Sequence, residues 1–113
     1  MKQPIALGLA ELAANTDLPW EAFHPGVERH VLYDCSPEGP MAALLRYQPS
    51  TSIPPHEHAG FEHILVLTGS QEDDRGRYEA GTLLINPPGT RHHVRSSSGC
   101  VVLAIWQKPV VFV

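Results

Sequence analysis

The sequence predicts an all-β fold, a small barrel or sandwich carrying a short N-terminal arm, and three observations point there. Short apolar runs are separated by turn-forming clusters, and the 11 prolines and 9 glycines are spread between those runs instead of being gathered into a linker. Several runs alternate with a period of two or are apolar on both faces, as strands are. Two stretches, residues 54–69 (PPHEHAGFEHILVLTG) and 81–92 (GTLLINPPGTRH), set histidines and a glutamate beside tight turns. At 113 residues the chain suffices for one hydrophobic core and is too short for two. The division that follows is an arm over residues 1–19 and a barrel over 20–113.

Composition excludes several partners. The apolar fraction of 42% is near the globular range and the charged fraction of 18% is low, which suits a compact domain. Net charge is −4 and no run of Lys or Arg occurs, so neither nucleic acid nor an anionic membrane is an expected partner. Cys35 and Cys100 are too few and too far apart for a disulfide framework or a CxxC site, and both read as buried thiols in a reducing compartment. Residues 1–14 hold one Lys and an apolar run broken by Pro4 and Glu11, which makes neither a signal peptide nor a membrane span. A cytoplasmic location is the expectation.

Taken in order, residues 5–14 carry Ile5, Leu9 and Leu12 at a spacing that suits a short helix, against Gly8 and Pro4. Trp20 and Phe23 supply apolar bulk before a turn at His24-Pro25-Gly26, so the arm is expected to lie across the barrel or a partner subunit with both rings buried. Residues 27–33 alternate as a strand, and Ser36-Pro37-Glu38-Gly39-Pro40 turns into a second strand over 41–48, a hairpin. Pro54 and Pro55 bar a central ladder where they sit, placing His56 and His58 near a strand start or a sheet edge. Residues 63–68 form a strong strand with apolar residues on both faces, one for the barrel interior and one needing cover. Residues 71–76 (QEDDRG) read as a solvated tip, so Asp73-Asp74 is a turn before it is anything else. A strand over 82–85 reverses at Asn86-Pro87-Pro88-Gly89, where Gly89 takes the positive φ of a type II turn, and launches residues 91–95. Residues 100–106 (CVVLAIW) form another doubly apolar strand, and 110–113 a last one. Seven to ten strands result, with turns spaced as in a sandwich or barrel.

Side chains two apart on a strand share a face, so His56 and His58 point together, and Glu62 joins them if the Ala59-Gly60 bend keeps the register. His92 comes from another strand, placed by the turn before it. Three imidazoles and a carboxylate form a borderline donor set for one divalent ion, Zn, Fe, Mn, Ni or Co, with no thiolate to favour a closed zinc site. In an octahedral ion two positions remain for water, substrate or dioxygen. His63 and His93, each adjacent to a proposed ligand, face the other way, as interface residues or outer partners of the ligands; His24 and His30 read as ordinary histidines. No further residue declares itself an acid, base or nucleophile.

These residues carry a resemblance. His56, His58, Glu62 and Gly69 match the first motif of the cupin superfamily, HxH, three residues, Glu, six residues, Gly; Gly81, Pro87, Gly89 and His92 match the second without a gap. Ser96 stands where many members carry Asn. Beyond the motifs, Pro25-Gly26-Val27, the phrase HILVLTGS, the NPPG turn and Ser98-Gly99-Cys100 resemble the cupin-like domain of ChrR-type anti-sigma factors, over roughly residues 20–109. The resemblance implies a double-stranded β-helix (jelly roll), one divalent metal on the four matched residues and a homodimer. No His/Cys cluster precedes Trp20 to match the zinc-binding anti-sigma portion of those regulators. Three functions follow as expectations. The first is a metal-dependent, dioxygenase-like enzyme acting on a small organic substrate or ligand; its alternative is a ligand- or redox-sensing regulatory cupin; the third is a metal-free structural barrel.

Overall fold

One strand passes through both sheets of the molecule and so sets its architecture. In the computed structural model, which describes residues 3–113, the order is α1 (Leu9–Ala14), β1 (Glu21–His24), β2 (Val27–Asp34), β3 (Met41–Tyr47), β4 (Thr51–His58), β5 (Glu62–Asp73), β6 (Gly76–Glu79), β7 (Leu83–Asn86), β8 (Arg91–Ser96), β9 (Cys100–Trp106) and β10 (Val110–Phe112). The first half of β5 lies between β7 and β9, in a sheet that continues through β3 and β2 to β1; its second half lies between β6 and β8, in a sheet that continues through β4 to β10. All these pairings are antiparallel, and the curled sheet closes on itself as a double-stranded β-helix.

Gly69 makes the passage between sheets possible. Its φ is +69°, and a Cβ there would overlap the carbonyl oxygen of Gly99. Just before it, the pairing with β9 shifts register between Val66 and Thr68, a bulge that reverses which parity faces inward. Glu62, Ile64 and Val66 are buried before the shift; Gln71 and Asp73 are buried after it. The interior below the metal candidates is filled by Val27, Leu45, Tyr47, Ile53, Ile64, Val66, Val94 and Val102.

Three expectations change at the level of local structure. β4 contains both Pro54 and Pro55, which fall inside a register shift between Ile53 and His56 in its ladder with β8. Neither missing N–H is needed there, so the strand runs through the prolines up to the histidines. Cys100 is buried at the start of β9, but Cys35 is exposed: it sits in the turn after β2, with its backbone bonded to Pro40 and Gly39. Trp20 and Phe23 are half-buried. The Arg46 guanidinium stacks on the Trp20 ring at 4.4 Å, so the arm is held partly by a cation–π contact and only partly by apolar cover. The helix itself is limited to Leu9–Ala14, begins at Gly8 without a side-chain cap, and rests against β5. Among the described residues no helix is long and apolar enough to cross a membrane.

Candidate metal centre

β4, β5 and β8 bring His56, His58, Glu62 and His92 together at one end of the barrel interior. His56 and His92 are direct partners across the β4–β8 ladder, and Glu62 opens β5. All four side chains are buried, and one donor atom from each lies within 4.8 Å of the others. His56 Nε2 is 3.0 Å from His92 Nε2, His58 Nε2 is 3.0 Å from Glu62 Oε1, and His92 Nε2 is 3.9 Å from the same oxygen. Donors at about 2.1 Å from one ion stand about 3 Å apart when adjacent and about 4 Å apart when opposite, so these separations fit a shared cation.

Hydrogen bonding on the far side of each ring sets its tautomer. His56 Nδ1 lies 3.0 Å from the Pro54 carbonyl oxygen, which can only accept, so Nδ1 carries the proton. His58 Nδ1 lies 2.9 Å from Thr90 Oγ1, whose own hydroxyl donates to the Pro87 carbonyl at 2.7 Å; the hydroxyl oxygen therefore accepts from His58. His92 Nδ1 lies 3.1 Å from Asp73 Oδ2 and donates to that carboxylate. Each ring is thus left with a lone pair on Nε2, and the three lone pairs converge beside a carboxylate oxygen. His58 Nε2 is buried with no hydrogen-bond partner among the described residues, its approach to Glu62 lacking the alignment of a bond. Such a cluster is repulsive by itself and is relieved by a cation at its centre, so the residues present fit a divalent metal.

The carboxylate is fixed just as firmly. Glu62 Oε1 accepts from Asn86 Nδ2 at 3.0 Å, and Oε2 accepts from Trp106 Nε1 at 2.5 Å. Burial pushes the Glu62 carboxyl up, but its contacts with His58 and His92 and the Trp106 bond outweigh it and hold the group below the usual range. Burial pushes the His56 imidazole down, against its bond to Pro54, so the ring is neutral and ready to ligate at pH 7.

Asp73 is the main correction to the sequence reading. It is not part of a solvated tip: it is 4% exposed and faces the cluster. Its Oδ1 accepts from the Arg75 N–H, the Gly76 N–H and the Tyr78 hydroxyl, and its Oδ2 from His92. Burial would raise its pKa, but the His92, Arg75 and Tyr78 bonds prevail and keep it ionised. Asp74, its neighbour, is exposed as expected. Thr90, Asn86 and Trp106 were likewise not singled out; the signal for the first two was their position flanking the Pro87-Pro88-Gly89 turn. His63 and His93 are half-buried outside the cluster.

A cavity of ≈30 Å³ adjoins the cluster, lined by His56, Glu62 and His92, by apolar core residues, and by Tyr47 and Gln71. Gln71 is 2% exposed; its Nε2 reaches the Tyr47 hydroxyl at 3.5 Å, while its Oε1 has no partner among the described residues. Burial pushes the Tyr47 phenol far up, so it stays a neutral donor and acceptor.

A curled antiparallel barrel with a His/Glu cluster of this construction at one end of its interior is a cupin. Within that fold the model of the ChrR cupin-like domain matches residues 10–110, and the chain belongs to that family. The anti-sigma-E factor ChrR of Cereibacter sphaeroides is 31% identical over 100 residues, 85% of this chain and 45% of ChrR. The chain spans less than half the length of the curated relatives it matches. Among solved structures, one chain of the complex of Rhodobacter sphaeroides SigE with the anti-sigma ChrR aligns with a TM-score of 0.71 and 24% identity, over 94% of this chain and 71% of that one. An acetylacetone dioxygenase from Acinetobacter johnsonii aligns with a TM-score of 0.80 and 16% identity, over 100% and 82%.

Proposed function

We propose that this chain holds one divalent ion on His56, His58, Glu62 and His92 and acts as a metal-dependent, dioxygenase-like enzyme on a small organic molecule. The observation that carries the reading is the convergence of three Nε2 lone pairs, each committed by its own Nδ1 partner, on one side of Glu62 Oε1. A bound ion would supply Lewis acidity and, if redox-active, dioxygen chemistry. The chain's own residues supply the rest. Gln71 Oε1 accepts a hydrogen bond from a donor entering the cavity, Tyr47 orients Gln71, and the rings of Trp106 and Phe112 keep bulk water from the cluster.

The test is elemental analysis of the purified protein, followed by oxygen uptake of the Fe²⁺-loaded form with β-diketones, thiols and hydroxy acids. Stoichiometric metal, lost on His56→Ala or His92→Ala, and uptake with one class of compound are expected. Protein that binds no metal at all would leave only the structural barrel. The 31% identity to an anti-sigma factor favours a second reading, a ligand-sensing regulatory module. It requires a stable complex with a sigma factor and no turnover; turnover without such a complex rules it out.

Self-association belongs to the same proposal. β7 pairs only with β5 among the described strands, and its Leu83 and Ile85 are about half exposed beside His63, Leu65, Leu103 and Ile105. A free edge with an apolar face suits isologous pairing of two copies.

A further inference from the structure

The cavity beside the cluster borders a larger one. Phe23, Trp106, Val110 and Phe112 line both the inner space of ≈30 Å³ and an outer space of ≈190 Å³. The outer cavity is bounded by the loop after β2, the start of β3 and the segment leading into β10, and its walls are mainly apolar. Two cations line it, Arg29 and Lys108, and no carboxylate does.

Arg29 is held on two sides. Its Nε donates to Glu21 at 2.8 Å and its guanidinium stands 5.3 Å from the centre of the Phe23 ring. Only the Nε–H is bonded among the described residues, which leaves the four Nη hydrogens of a positioned fork. Lys108 makes no ion pair among the described residues. A pair of cations beside an apolar space recognises an anionic group on an apolar body, and the volume limits that body to something smaller than a drug-sized ligand.

We propose that the outer cavity binds the carboxylate end of a short-chain acid whose other end carries an oxygen donor directed at the metal cluster, with Arg29 and Lys108 as the carboxylate-binding residues. The ligand class is a small ω-functionalised carboxylic acid, its chain passing between Trp106 and Phe112. This inference rests on the reading of the cluster as a metal site open to a small organic molecule. It adds the charge and the two-ended character of that molecule.

Calorimetric titration of the Zn²⁺-loaded protein with the monoamides of α,ω-dicarboxylic acids from succinic to adipic, each paired with its diamide, tests it. One monoamide of matching length should bind about tenfold more tightly than its diamide, the effect of one charge-assisted contact. Lys108→Met, at an exposed position outside the proposed metal centre, should lower that ratio and leave zinc content unchanged. Monoamide and diamide that bind alike at every length, or not at all, would overturn the inference; so would a ratio untouched by Lys108→Met. The zinc-free protein separates the two claims. Affinity that survives zinc removal but falls on Lys108→Met upholds the carboxylate site and defeats the metal-directed end. Affinity that falls on zinc removal alone does the opposite.

Discussion

Asp73→Asn is the substitution that most directly probes how the cluster is organised. Asp73 Oδ1 accepts three hydrogen bonds that hold the β5–β6 turn, from Arg75 N, Gly76 N and the Tyr78 hydroxyl, while Oδ2 alone faces His92 Nδ1 at 3.1 Å. An asparagine that keeps its Oδ1 on the turn must point its NH₂ at the His92 N–H, setting donor against donor. His92 escapes by moving its proton to Nε2, which removes one of the three converging lone pairs. The alternative, a flipped amide, sets NH₂ against three turn donors. Either route costs metal affinity, and loss of such an outer partner typically weakens binding 10–100-fold, about 1.4–2.7 kcal/mol. Competition for Zn²⁺ against a chromogenic chelator reads the change, with far-UV circular dichroism showing that the zinc-free variant is folded. Asp74→Asn, at an exposed position, should bind as the parent does. A folded Asp73→Asn protein with parental affinity would refute the claim that Asp73 sets the His92 tautomer.

Other consequences can be measured separately. One thiol should react quickly with a disulfide reagent at pH 8 and the second only after denaturation, because Cys35 is exposed whereas burial pushes the Cys100 thiol up to about 11; two fast thiols would contradict this. Gly89→Ala places a Cβ in open space at φ +87° and should cost about 1–2 kcal/mol by urea denaturation. Gly69→Ala also drives a Cβ into the Gly99 carbonyl and should cost at least about 3 kcal/mol, so equal costs would show that β5 does not need its kink. Leu83→Glu should shift sedimentation at micromolar concentration from dimer to monomer without loss of zinc; a monomeric parent would end the pairing proposal.

The candidate cluster was legible because its spacing is local. HxH and the following Glu sit on strands with period two, and His92 follows a turn that Pro87, Pro88 and Gly89 announce by type. Strand count, the β2–β3 hairpin and the positive φ of Gly89 follow from the same local chemistry. Asp73 was not legible, and the reason is physical. A period-two reading carried forward from Glu62 puts odd-numbered residues outside, but the bulge before Gly69 inverts the parity, and the strand that looked finished at Thr68 runs on to Asp73 in the second sheet. Charge density in QEDDR then imitates a solvated turn. Cys35 failed differently: a cysteine's usual burial says nothing about one held in a turn by its own backbone.

The three imidazoles are committed by three separate parts of the chain: His56 by the proline run just before it, His58 by the turn of the second motif, His92 by a residue between the two motifs. The middle case shows the coupling most plainly. Gly89 N donates to the His58 carbonyl, His58 N donates to the Thr90 carbonyl, and the Thr90 hydroxyl, spent on Pro87, accepts from the His58 ring. The Pro-Pro-Gly turn therefore does more than deliver His92; it orients a ligand candidate contributed by the other motif. An imidazole offers its Nε2 lone pair reliably only when Nδ1 keeps the proton, and here the Nδ1 partners of His58 and His92 are in place only once β4, β5 and β8 have met. Competence to hold a cation thus arises with barrel closure and not before it, so cation binding favours the closed barrel over any open form.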